Sequence, residues 1–279
     1  MSSPEKRLEI LRAETEGLER YLTDMPKEAW DQPSACDEWC IADVVAHLTQ
    51  SSRNYPSRVL RALQGDASPD AMSSRLNPGE VDPENLAQRA VALRKELGGD
   101  LLPEFLKANQ AIVDALANIS GQDWDKPVFR PYGPEPLRNI VDMLITERAV
   151  HGWDIRSPFD SQTGLSPESV AVIVERIPQR PTWWSFRTEA GFAPSPLRYR
   201  FEVTPPAQYR VDLVVTEERR YMEVASKEDA HVTFQCAGET FVFLMYGRIN
   251  PEAAIADGRM SCAGDQELVN AFVQRFTGG

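Results

Sequence analysis

A helical bundle followed by a smaller α+β domain is the fold class this sequence predicts, and three observations predict it. Residues 4–23 set Leu8, Leu11, Thr15, Leu18 and Leu22 three and four apart, the seam of a bundle helix. The stretch Pro134 to Ile155, PEPLRNIVDMLITERAVHGWDI, repeats that spacing with Leu137, Ile140 and Leu144. After Ser157 the period shortens to the alternation of strands in LRYRFEV, YRVDLVV and HVTFQCA. The two domains are expected at 1–158 and 159–279.

Taken in order, the first helix gives way to a connection from Asp24 to Trp39, with Pro26 and Pro33 as breakers and Trp30 and Trp39 as lids on the core. A second helix runs from about Ile41 to Leu63 and buries Ile41, Val44, Val45, Leu48, Tyr55 and Val59. From Gln64 to Pro83 the composition turns to Gly, Ser, Asp, Asn and Pro, a loop that serves as lid or crossover. The third helical region spans about Pro83 to Ile119 and should break or kink at Gly98, Gly99 and Pro103. Pro127 to Gly133 is a connection, and the helix ending near Ile155 completes the four. In the second domain a short helix, Ser166 to Arg176, leads into RIPQRPTWWSF, read as an inter-domain connection with Trp183 and Trp184 packed on a neighbour. The three strand-like runs follow, then the helical runs GETFVFLMYG and PEAAIADG, a short strand RMSCAG, and a last helix DQELVNAFVQRF.

At 279 residues the chain is long enough for two domains with separate cores. Its formal net charge is −12, from 42 acidic and 30 basic residues, which argues against a sequence-independent grip on nucleic acid or an anionic membrane. No apolar run approaches the roughly 18 residues that span a bilayer, and MSSPEKRLEIL reads as a charged helix start rather than a secretory signal. A soluble cytoplasmic protein, monomer or homodimer, is the expectation. The four cysteines, Cys36, Cys40, Cys236 and Cys262, are scattered and read as reduced, structural thiols. Cys40 stands where a helix N-cap belongs, with Asp43 three residues on.

Chemistry enters where packing should continue. The apolar face of Leu137, Ile140 and Leu144, extended by the same steps, lands on Glu147 and His151. Side chains four apart on a helix lie roughly 5–6 Å apart at Cβ, so a carboxylate and an imidazole here can grip one ion. A third ligand must come from another helix. Of the three histidines, His47 lies in the amphipathic run IADVVAHLTQ and His231 in a strand-like run, which makes His47 the candidate. Asp154, three residues after His151, can hold that ring's other nitrogen. Two imidazoles and a carboxylate suit zinc, and also iron, nickel or manganese, and three ligands leave a position open for catalysis. The plainer account of such a pair, a Glu–His hydrogen bond, stays open on spacing alone. No G-x-S-x-G, P-loop or G-x-G-x-x-G favours a serine hydrolase, an NTPase or a dinucleotide enzyme.

WDQPSACDEWCIADVVAHLTQ, followed about 100 residues later by ITERAVHGWDI, resembles the N-terminal domain of the mycothiol-dependent maleylpyruvate isomerase family, a branch of the DinB-like four-helix bundles. The resemblance covers about residues 8–156. It implies a divalent metal, usually zinc, held by His47, Glu147 and His151, with mycothiol as cosubstrate. Cys40 departs from the Thr or Ser expected as the cap. The run from Ala230 to Phe276 is similar to the sterol-carrier-like domain often appended to this bundle, where sheet and helices enclose an apolar pocket. By that analogy Tyr246 and Arg248, in LMYGR, are weak candidate substrate contacts, although a solvated helix end accounts for them more simply.

The function this implies is activation of a low-molecular-weight thiol for addition to a small electrophile. Expulsion of the thiol after rotation gives cis–trans isomerisation, and its retention gives S-transfer. Two other classes stand beside it: a non-catalytic binder of an apolar small molecule, and a metal-assisted hydrolase.

Overall fold

A computed structural model of the chain describes residues 2–36, 39–69, 83–130, 133–179, 196–227 and 229–278, with backbone alone at 83–86. Most of the Gln64 to Pro83 loop, and Trp183 and Trp184, lie outside the described residues. Two compact units are present, Ser2–Thr163 and Gly164–Gly279.

The first unit is the helical bundle. Helix α1 (Pro4–Asp24) starts on Ser3, whose hydroxyl accepts the Lys6 N–H, and α2 (Ile41–Leu63) starts on Cys40, whose N–H donates to Asp43. The expected third helix is two: α3 (Pro83–Leu97) and α4 (Leu101–Ala117), separated by a single tight turn at Gly98–Asp100. Gly98 has φ +50, a left-handed conformation that favours glycine, so the break is local. Pro103 breaks nothing, because it lies in the first turn of α4 where the N–H has no partner to lose. A two-strand ladder unforeseen in the sequence, β1 (Pro127–Val128) and β2 (Glu135–Pro136), leads into α5 (Leu137–Arg156). Helix α2 packs on α3, α4 and α5, while α1 packs on α4 and α5. Leu18, Leu22, Ile41, Val44, Val45, Leu48, Leu101, Phe105 and Ile155 form one buried cluster, with Trp30, Cys36 and Trp39 against it.

The second unit opens with α6 (Pro167–Arg176) and carries a five-stranded sheet in the order β5-β4-β3-β6-β7. Its strands are β3 (Leu197–Val203), β4 (Tyr209–Val215), β5 (Arg220–Val224), β6 (Val232–Cys236) and β7 (Met260–Gly264). Only β3 and β6 run parallel. Period two sorts the side chains: Tyr199 sits opposite Leu213 and Phe201 opposite Val211 on one face, Arg200 opposite Asp212 and Glu202 opposite Arg210 on the other. The charged face is paired, with Arg200 Nε at 2.8 Å from Asp212 and Arg210 at 3.0 Å from Glu202. Strand β5 escapes the pattern reading because RYMEV alternates too weakly; it is an edge strand with Val224 exposed. Helices α7 (Gly238–Met245), α8 (Pro251–Ala256) and α9 (Gln266–Arg275) complete the unit. Gly238 lets α7 close on α6, since a Cβ there would stand 2.6 Å from Val170. The interior is ring against ring: Phe272 on α9 lies 4.6 Å from Phe234, 5.0 Å from Tyr199 and 5.8 Å from Phe201 between centroids. Among the described residues no helix is long and apolar enough to cross a membrane.

Candidate metal centre

Helix α5 is buried on almost every side, from Leu137 to Ile155. Between Ile140 and Gly152, only Glu147 and His151 reach solvent, with side chains 25% and 15% exposed. The polar continuation of the apolar stripe is therefore a narrow accessible line along an otherwise buried helix, which is what a ligand needs to enter. His47, 19% exposed, faces that line from α2.

The three side chains converge. His47 Nε2 lies 3.0 Å from Glu147 Oε2, and His151 Nε2 lies 3.7 Å from the same oxygen. The rings of His47 and His151 meet edge-on at 4.9 Å, and one ligand atom from each residue falls within 4.8 Å of the other two. An ion with tetrahedral bonds of roughly 2.0–2.1 Å sets its ligands about 3.3 Å apart, a spacing that the 3.0 and 3.7 Å separations bracket, and the donor set is one that suits zinc. Asp154, fully buried, accepts from His151 Nδ1 at 2.8 Å, which leaves Nε2 facing Glu147.

Electrostatics point the same way. Burial pushes the Glu147 carboxyl upward, but the hydrogen bond from His47 and the positive fields of His47, His151 and Arg148 hold it well below the usual carboxylate range. A carboxylate kept ionised in a half-buried seam is poised for a cation. Arg148 points to the other side of α5 and is 1% exposed, its Nη2 donating to Ser52 at 2.5 Å and Asn109 at 2.7 Å. Burial draws this guanidinium down to about 10, against the pull of Glu147 and Glu19.

Several neighbours were not foreseen. The Trp39 ring lies 5.2 Å from His47 and 6.4 Å from His151, roofing the cluster. Cys36 offers Sγ to a second group with His151 and Asp154, again within 4.8 Å. The loop that carries both is tied to α5 by the Ala35 N–H donating to the Asp154 carbonyl at 2.9 Å. Nothing in the period of either helix could reveal these contacts. Cys40 instead meets Asp43 at 3.0 Å and Arg94 at 2.9 Å, and burial together with Asp43 raises its thiol, so it caps rather than reacts. Tyr246 and Arg248 belong to the other unit, where Arg248 Nη1 donates to the Tyr246 carbonyl at 2.6 Å just past α7. His231 lies in that unit too, its Nδ1 accepting the Arg198 N–H at 3.1 Å.

The family described as the mycothiol maleylpyruvate isomerase N-terminal domain matches residues 11–156, and the SCP-2 sterol transfer family matches residues 195–277. Among solved structures, a mycothiol-dependent maleylpyruvate isomerase is similar over 89% of this chain and 90% of its own, with a TM-score of 0.60 and 18% identity. A histidine-to-alanine mutant of a mycothiol-dependent maleylpyruvate isomerase gives the same coverage and TM-score at 17% identity. Likeness at that identity speaks for the fold. No curated protein matches the chain.

Proposed function

The chain belongs to the mycothiol maleylpyruvate isomerase family, whose N-terminal domain it carries, and from that premise we propose a metal-dependent thiol enzyme. Its ligands are His47, Glu147 and His151, and its cosubstrate is a low-molecular-weight thiol, mycothiol by family. The observation that carries the reading is the convergence of two imidazoles and one ionised carboxylate where α5, between Ile140 and Gly152, is open to solvent. When bound, a divalent metal there, zinc by donor chemistry, supplies a Lewis-acidic position at which a thiol loses its proton and is held as thiolate.

The residues do the rest. Asp154 fixes the His151 ring by accepting its Nδ1–H, so that Nε2 is the free donor. Glu147 stays ionised, and His47 releases to solvent the Nε2 proton that it otherwise donates to Glu147. Trp39 walls one side with an apolar ring and limits water there. The thiolate adds to one carbon of a C=C conjugated to a carbonyl, forming one C–S bond while the C=C pair moves onto the carbonyl oxygen as an enolate. Rotation about the resulting single bond and return of that pair expel the thiolate and restore the double bond in the other geometry, whereas uptake by carbon of a proton, the equivalent of the one the thiol lost, keeps the C–S bond and gives S-transfer. Apolar-ligand binding is the weaker reading, because packed rings occupy the interior of the second unit.

Elemental analysis of the purified protein beside His151→Ala tests this, with mycothiol titrated against the cobalt-substituted form. About one metal per chain, lost in the variant, with a thiolate charge-transfer band on titration, is the expected result. Metal without a thiol response leaves hydrolysis in front. A wild type that holds no metal and refuses added zinc ends the catalytic reading.

A further inference from the structure

We propose that Arg148 is a positioning residue of the metal site, tying α5 to α2 and α4 so that His47 stays at ion-binding distance from Glu147 and His151. The proposal rests on the metal reading above and adds to it what sets the spacing of the ligands.

Placement comes first. Two ligands ride on α5 and the third on α2, yet α2 packs most heavily on α4, and α5 on α1. The pair of helices that carries the site is therefore not the pair that apolar packing holds best. Arg148 follows Glu147 in the chain and turns into the core, where it is 1% exposed. Its Nη2 donates to Ser52 on α2 at 2.5 Å and to Asn109 on α4 at 2.7 Å. Ser52 stands five residues after His47, roughly 7.5 Å along the helix axis. Asn109 in turn donates to Glu19 on α1 at 3.1 Å. One polar knot behind the ligands thus reaches four helices.

The contact between the ligands themselves cannot keep this spacing when an ion binds. His47 then gives up the Nε2 proton that it shares with Glu147 at 3.0 Å, and the hydrogen bond between α2 and α5 at that point is lost. The tie from Arg148 to Ser52 uses no ligand atom and survives loading.

The fold by itself has little use for a charge at this position. A guanidinium taken out of water is costly, and here Nε and Nη1 are buried with no hydrogen-bond partner among the described residues. An apolar side chain of similar length would strand neither neighbour. The Ser52 hydroxyl lies 2.9 Å from Asn109 Oδ1 and can donate to it without the arginine, and Asn109 Nδ2 keeps Glu19. What arginine supplies and methionine cannot is a directional bond from α5 to α2, one helical step from a ligand.

The test measures zinc affinity by competition with a chromophoric chelator, and urea unfolding of the metal-free full chain. Arg148→Met should weaken zinc about tenfold and shift the ligand-field bands of the cobalt form, while the urea midpoint stays level or rises. Ser52→Ala keeps the Arg148 charge and removes the α2 end of the tie. It should weaken zinc at least threefold, and the double variant should bind no more weakly than Arg148→Met alone. Zinc affinity within threefold of wild type in folded Arg148→Met overturns the proposal. So does a urea midpoint that falls with it, which would make Arg148 a strut of the bundle, and so does an unaffected Ser52→Ala, which would assign the effect to charge. Should Arg148→Met fail to fold, Ser52→Ala decides by the same threefold mark. A wild type without zinc ends the metal reading and the proposal together, whereas zinc without a mycothiol response ends the thiol reading and leaves the tie standing.

Discussion

The two units keep their polar groups in different places, and the difference follows from backbone period. On α5, steps of three and four place Glu147, His151 and Asp154 along one side of a helix that is otherwise buried from Ile140 to Gly152. Chemistry and packing therefore share one element, and a facing helix adds His47 at 3.0 Å. On β3, a period of two sends Arg198, Arg200 and Glu202 to one face and Tyr199, Phe201 and Val203 to the other. Charges there answer charges across the ladder, Arg200 to Asp212, and rings answer rings. A helix in a bundle can interrupt its core with a ligand set; a two-faced sheet keeps the two apart. Hence the bundle holds the candidate site, and the rings hold the sheet unit together.

That contrast can be broken first at its aromatic end. Phe272→Ala removes a fully buried ring that meets Phe234, Phe276 and Tyr199, and should cost about 3–5 kcal/mol in the second unit, read by hydrogen exchange at β3 and β6 amides. By comparison His47→Ala, at a partly exposed polar position, should change the metal-free bundle by less than about 1 kcal/mol. Equal costs would erase the distinction. At the polar end, Asp154→Asn should raise the zinc dissociation constant about 10- to 100-fold while the helical signal persists, measured by competition with a chromophoric chelator. A variant that binds zinc as tightly as wild type would strip Asp154 of its orienting role.

The smallest effect lies in acid. The Glu147 carboxyl is held below its ordinary range in the folded chain, so between pH 5 and 3 the unfolded state binds more protons. The stability this confers is present above the unfolded value, about 4.3, and is lost as pH falls toward the folded one. Urea midpoints of the metal-free wild type should therefore drop more steeply over that range than those of Glu147→Gln. Parallel curves would mean that Glu147 and the histidines are not electrostatically coupled.

Elements with a strong period are legible in the sequence. Helices α1 and α2 fall where their apolar spacing places them, and β3 and β4 coincide with LRYRFEV and YRVDLVV. The break at Gly98 and Gly99 is legible as well, because glycine there needs no tertiary partner to adopt a positive φ. Weakly patterned pieces are not: β5 is charged and lies at an edge, and β1 and β2 are two residues each. Within the candidate site, Glu147, His151 and Asp154 can be read together because one helix carries all three, while His47 comes from the scarcity of histidines and from family likeness.

By itself, then, the amino-acid order determined which faces are apolar, where helices begin and stop, and which ionisable groups interrupt a stripe, since all of these are local and periodic. Only the tertiary structure decided that Glu147 and His151 sit on an accessible line rather than in the core. It also decided that Trp39 roofs them, that Cys36 stands beside His151, and that Arg148 meets Ser52 and Asn109 behind them. Each of those depends on contacts between segments distant in the chain, and a period read along one element carries no information about what faces it.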